Sequence, residues 1–187
     1  MDHDLSMTWV SGIKQSRNFP WRVLYGVACL KPPYSRRPRS EMINDIYNKR
    51  ILELAADIPR QGRLAHPDAT STLHSKLCGS TVTIDLSVKD GHVVDFAHEV
   101  KACALGQASS SIMARHIIGA TPDELRVLRE QVRAMLKENG PAPTGAWADL
   151  AVLEPVRDYK ARHASTLLTF DAVVKALDQI EAHHTGS

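Results

Sequence analysis

A chain of 187 residues with 43% apolar content suits one ordinary globular core and is short for two, and its wholly apolar stretches run only a few residues, far below the roughly 20 that a membrane helix needs. Three cysteines, at 29, 78 and 103, are too few for a disulfide framework, and no apolar leader with a small-residue cleavage site opens the chain, so a reducing, cytoplasmic setting is expected. The net charge of +2 hides an asymmetry: residues 1–40 hold seven Lys/Arg against Asp2 and Asp4, leaving sixteen basic against nineteen acidic residues in a body without an aromatic-interleaved basic stripe, which excludes a nucleic-acid binder.

Residues 1–41 show no sustained period and end in Lys31-Pro-Pro-Tyr-Ser-Arg-Arg-Pro-Arg-Ser40, where prolines oppose helix and strand alike. They read as a disordered or mis-assigned extension, with Met42 as the true start favoured over an organelle transit peptide. Residues 42–187 read as one domain. Ile43, Ile46, Tyr47 and Leu54 share a helical face that ends before Pro59. Strands follow at 69–77 and 80–88, the second alternating Val82, Ile84, Leu86 and Val88 against Thr83, Asp85 and Ser87. Asp90-Gly91 supplies turn chemistry, and Val94, Phe96, His98 and Val100 continue the alternation, completing a three-stranded antiparallel meander.

The run Leu105–Ile118 is helix-compatible up to Gly119, and its small residues suit close approach to the sheet. Thr121-Pro-Asp-Glu124 combines an N-cap, a first-turn proline and a capping-box glutamate, predicting a helix to about Lys137. After the loop Asn139–Gly145, a last helix is expected over 165–181 on a stripe of Leu167, Phe170, Val174, Leu177 and Ile180. The fold class is therefore α+β, with helices packed on one face of a small sheet.

Two residues stand out chemically. Cys78 sits at a turn between predicted strands and Cys103 between the third strand and a helix, positions that the topology sets side by side. A thiol ahead of a helix N-terminus is biased toward thiolate, the metal-binding and nucleophilic form. Their spacing alone is met equally by two small buried thiols. Ser109-Ser110-Ser111 has no Gly-x-Ser-x-Gly elbow or accompanying base, so no hydrolase, and no enzyme of another class, is indicated. His98 and His116 read as structural residues, His183-His184 as a tail, and Cys29 as incidental.

Cys78-Gly79, then Asp90-Gly-His-Val-Val-Asp-Phe96, then Lys101-Ala-Cys-Ala-Leu-Gly-Gln-Ala-Ser-Ser-Ser111 resemble the NifU/IscU/SufU scaffold family. Val156-Arg-Asp-Tyr-Lys-Ala-Arg162 resembles the segment leading to that family's third cysteine, and the stretch from Gly119 to Val156 is similar to the extra segment of the SufU branch. The likeness spans about residues 42–182. Two departures stand out. Ser80 occupies the aspartate position of the family's Cys-Gly-Asp, and Ser165 falls where the third cysteine belongs, with Phe170 and Ala172 matching the family's tryptophan and alanine in that register; a one-residue gap would put Ala164 there instead.

The resemblance implies an iron–sulfur cluster assembly scaffold, not an enzyme. It would accept sulfur from a pyridoxal-phosphate (PLP) cysteine desulfurase and hold iron or a labile [2Fe–2S] cluster on Cys78 and Cys103 for apo-proteins. Zinc is the alternative resting metal. With the third thiolate missing, His163 supplying an imidazole, or a homodimer pooling its cysteines, would complete the ligands. The rival reading is a sulfur acceptor or regulatory partner of the desulfurase that holds no cluster.

Overall fold

The computed structural model describes residues 48–76 and 78–185. The expected domain boundary after residue 41, Cys29, and the helix positions Ile43, Ile46 and Tyr47 lie outside them. Helix α1 (Lys49–Ala56) starts where Asn48 Oδ1 accepts from the Ile51 N–H at 3.0 Å, and it buries Ile51 and Leu54. Strands β1 (Ala69–His74), β2 (Thr81–Lys89) and β3 (His92–Lys101) form an antiparallel sheet in the order β1-β2-β3. The β2–β3 turn is the expected two-residue hairpin, with Asp90 and Gly91 at φ +52° and +74°, the left-handed pair that matches strand twist.

The first strand stops at His74, short of the expected residue 77, because the chain turns there: Ser75 donates its N–H to the Ser80 carbonyl at 2.8 Å and Gly79 donates to Ser75 at 2.9 Å. In β3 the alternation also needs correcting. Ser87 pairs with Asp95 but Val88 pairs with Val93, so Val94 is an extra residue in a bulge. Val93 is therefore buried and Val94 lies out at 49% exposure, on the opposite side from Phe96 and His98.

Helix α2 (Ala104–His116) ends two residues earlier than expected; Gly119, at φ +85°, instead returns the chain to the sheet by donating to the Val93 carbonyl at 2.8 Å. Helix α3 (Pro122–Lys137) carries the capping box in full, Thr121 and Glu124 each bonding the other's backbone N–H. A 3-10 segment (Gly145–Asp158) leads into α4 (Lys160–Thr185), which begins five residues before the expected Ser165. Its stripe buries Leu167, Phe170, Leu177 and Ile180.

Helix α4 lies over β1 and β2 and beside α3, while α2 packs on α1, α4 and β3; the result is an α+β fold with its core between the sheet and the helices. The small residues of α2 face α4 more than the sheet. A Cβ on Gly106 would meet the Ala102 Cβ at 2.8 Å and the Ser165 carbonyl oxygen at 3.1 Å, and Ser110 shares a hydrogen bond with Thr169. No helix among the described residues is long and apolar enough to cross a membrane.

The segment before β1 folds back on the sheet. Arg60 and Gly62 exchange backbone bonds with His98, and the His98 Nε2–H donates to the Pro59 carbonyl at 2.9 Å. Asp85, expected on the solvent side of β2, is fully buried, because Arg63 grips its carboxylate with Nε and Nη2 at 2.6 and 2.9 Å while the Leu64 N–H and Thr70 hydroxyl fill its remaining acceptor sites.

Candidate functional site

Thr81, at the start of β2, is flanked by His74 at the end of β1 and Lys101 at the end of β3, so the β1–β2 turn and the β3–α2 junction lie at the same end of the sheet. Cys78 stands in that turn, just before Gly79, whose φ of +70° favours a residue without a Cβ. Cys103 is the N-cap of α2, with its side chain making no capping bond and so left to face elsewhere. Both cysteines are free thiols and partly buried. The first turns of α4 bring Ser165 to them: the Cys103 S–H donates to the Ser165 Oγ at 3.6 Å, and the same hydroxyl reaches Cys78.

The result is two thiols surrounded by three hydroxyls. Cys78 Sγ lies 3.2 Å from Ser75 Oγ and 3.0 Å from Ser80 Oγ. Partial burial pushes the Cys78 thiol up, but hydrogen bonds from the Ser75, Ser80 and Ser165 hydroxyls and the Ser80 N–H favour the anion more, and together they bring it down to about 7. A large fraction of Cys78 is thus thiolate near neutrality, the form that binds iron and attacks sulfur.

Of the other expected residues, Ser80 and Ser165 lie at this pair, whereas His163, expected as a further ligand, does not join the two cysteines in a metal-holding group. Ser80 is buried against Cys78, where its hydroxyl supports the thiolate. Ser165 is 1% exposed and donates to the Arg162 carbonyl at 3.0 Å. His163 is buried with Nε2 bonded to the Val156 and Arg157 carbonyls at 3.2 and 3.0 Å, which ties α4 to the 3-10 segment. Among the described residues no three His, Cys, Asp or Glu side chains come together in a group able to hold a metal ion. The thiol pair is therefore short of donors among the described residues of one chain.

Ser75 was not legible as part of the site. Its signal is the pattern Ser75-x-x-Cys78-Gly79-Ser80, which on a tight turn wraps two hydroxyls around one sulfur. The serine run of α2 is structural: Ser109 bonds the Leu105 carbonyl, Ser110 bonds Thr169, and Ser111 bonds the Asp57 carbonyl.

A family profile described as the NifU-like N terminal domain matches residues 46–166. The iron-sulfur cluster assembly scaffold protein IscU of Thermotoga maritima is 30% identical over 137 residues, which is 72% of this chain and 94% of that one. The crystal structure of a nitrogen-fixing NifU-like protein (N-terminal) from Brucella abortus superposes with a TM-score of 0.74 at 70% identity, covering 75% of this chain and 98% of that one. A putative scaffold protein for the SUF system from Fervidobacterium islandicum superposes at 0.67 with 22% identity over 72% of this chain and 98% of that one, a likeness of fold.

Proposed function

Because the chain belongs to the NifU-like N-terminal domain family, we propose that it works as an iron–sulfur cluster assembly scaffold, accepting sulfur from a PLP-dependent cysteine desulfurase and holding iron or a labile [2Fe–2S] cluster on Cys78 and Cys103 for transfer to apo-proteins. The observation that carries this reading is the convergence of the two thiols on the Ser165 hydroxyl at one end of the sheet, with the Cys78 thiol brought down to about 7.

Each step follows from that arrangement. The Cys78 thiolate attacks the terminal sulfur of a donor persulfide; a new S–S bond forms as the donor's cysteine thiolate leaves, so sulfur moves without external oxidant. Release of that sulfur as the sulfide of a cluster takes two electrons from an external reductant and returns Cys78 to its thiolate; iron binds the thiolates, which release any remaining protons to solvent. Clusters of this kind take four ligands, mostly thiolate, and the described residues of one chain offer two thiols, so the bound cargo stays incompletely held and easily passed on. A second copy pooling its own Cys78 and Cys103 would fill the set. Zinc, the alternative resting metal, meets the same shortage of donors.

Anaerobic reconstitution with iron and sulfide tests the reading. The wild type is expected to bind about two irons per dimer with a coloured absorbance band, and both Cys78→Ala and Cys103→Ala are expected to lose them. The absence of any three-donor group among the described residues favours one rival, a sulfur acceptor that holds no cluster. That rival predicts a sulfide-labile gain of one sulfur on Cys78 and no bound iron under any condition.

A further inference from the structure

A trough runs beside the thiol pair, and its charge is unlike the rest of the helical surface. Lys137 at the end of α3 and Ala164 on α4 line both of its halves; Lys160 and His163 complete one half, of about 390 Å³, and Ser75 and Lys76 enter the other, of about 310 Å³, over a floor of Leu73, Leu167 and Leu168. Neither cysteine lines the trough; it adjoins the site through Ser75, whose hydroxyl touches Cys78, and through Ala164, the neighbour of Ser165 in the chain.

Elsewhere on α3 the cations are matched: Arg126 pairs with Asp178 and Glu181, Arg129 with Asp171 and Glu130, and Arg133 with Glu130. Lys76, Lys137 and Lys160 are exposed and make no ion pair among the described residues. The one carboxylate lining the trough, Asp171, is already held by Arg129 at 2.7 Å.

We propose that this trough binds a small thiol bearing carboxylates, of tripeptide size, whose sulfur supplies the ligand that Ser165 cannot. The lysines take the carboxylates, the leucine floor takes the methylene chain, and the thiol end reaches past Ser75 toward the cysteines. On binding iron it releases its proton to solvent, and the sulfur count rises to three. The same three lysines on two copies joined through their thiol ends would repel, whereas an anionic small thiol is attracted, so the charge favours the small molecule over a second copy. The inference rests on the scaffold reading above, and its test separates the two.

The metal-free protein is titrated with S-methylglutathione, which keeps the carboxylates but cannot ligate iron, and followed by amide NMR. Saturable shifts are expected at Lys137 and Ala164, with affinity lowered about tenfold or more in the double variant Lys137→Glu/Lys160→Glu and unchanged in Lys175→Glu, an exposed lysine outside the trough. Reconstitution with glutathione is then expected to leave about one glutathione per chain on the desalted, cluster-loaded protein, lost in the double variant. Absence of saturable shifts overturns the proposal whatever the cluster does. So does a cluster of equal yield and lifetime formed without any small thiol, an outcome that leaves the scaffold reading standing. Failure of every cluster, with shifts still present, overturns the scaffold reading and the ligand role together and confirms the trough only as a site for the anion.

Discussion

At the scale of single residues, the behaviour of Cys78 rests on hydroxyls and not on a neighbouring cation. Its sulfur has Ser75 and Ser80 within 3.2 Å, and each hydroxyl can turn its proton toward a thiolate. Alkylation by iodoacetamide against pH is expected to show a midpoint near the thiol's value of about 7. In Ser75→Ala/Ser80→Ala burial acts with less opposition, and the midpoint should climb toward the ordinary thiol value of about 8.5. An unmoved midpoint would show that the hydroxyls do not set it. Ser165 carries a second prediction. It stands 3.6 Å from Cys103 and shares the Arg162 carbonyl with Thr166, so its own bond there is the more dispensable. Ser165→Cys therefore restores a third thiol with little disturbance. The reconstituted variant is expected to hold its cluster several-fold longer than wild type, read from the decay of visible absorbance against a chelator, and to need less added thiol. Equal lifetimes would mean that position 165 does not face the cargo.

At the scale of elements, the site depends on how closely α2 approaches α4. Gly106 permits that approach, because an added methyl would press on the Ala102 Cβ and on the Ser165 backbone, neither of which can rotate away. Gly106→Ala gains about 1 kcal/mol of helix propensity but should lose about 1–3 kcal/mol to the clash. We expect a net fall in the denaturant midpoint together with weaker iron binding, since Ser165 is displaced from the thiols. The same elements show which parts of the structure sequence reading reaches. The Thr121–Glu124 cap and the Asp90-Gly91 turn were legible because a few adjacent side chains decide them. The bulge at Val94 was not, because an extra residue in β3 is fixed by pairing with Ser87 and Val88 across the sheet. The cysteine positions could be read from strand order, while the convergence on Ser165 required the packing of α4, which begins upstream of its visible apolar stripe.

At the scale of the whole molecule, residues 57–64 strap α1 to the sheet through two buried ionisable groups, and their titration gives the fold a two-stage response to acid. His98 is wholly buried with its Nδ1 unpartnered, and burial, only partly offset by the Pro59 carbonyl, holds its protonation below the ordinary range. The folded chain thus resists a proton that the unfolded chain accepts, so stability is full above about pH 6.5 and declines as pH falls through the histidine's lowered value. Asp85 also titrates low. Burial pushes its carboxyl up, but the bonds from Arg63, Thr70 and Leu64 outweigh it, so its contribution is full above about pH 4 and is lost on further acidification. The melting temperature of the metal-free protein should therefore fall in two successive windows. His98→Gln, which keeps an N–H for Pro59 but does not titrate, should flatten the upper one. Asp85→Asn should cost about 2 kcal/mol at neutral pH by weakening the bonds that anchor Arg63, and should flatten the lower one. If both variants kept the wild-type profile, the acid response would arise from surface charge, and the strap would hold through its backbone bonds to β3.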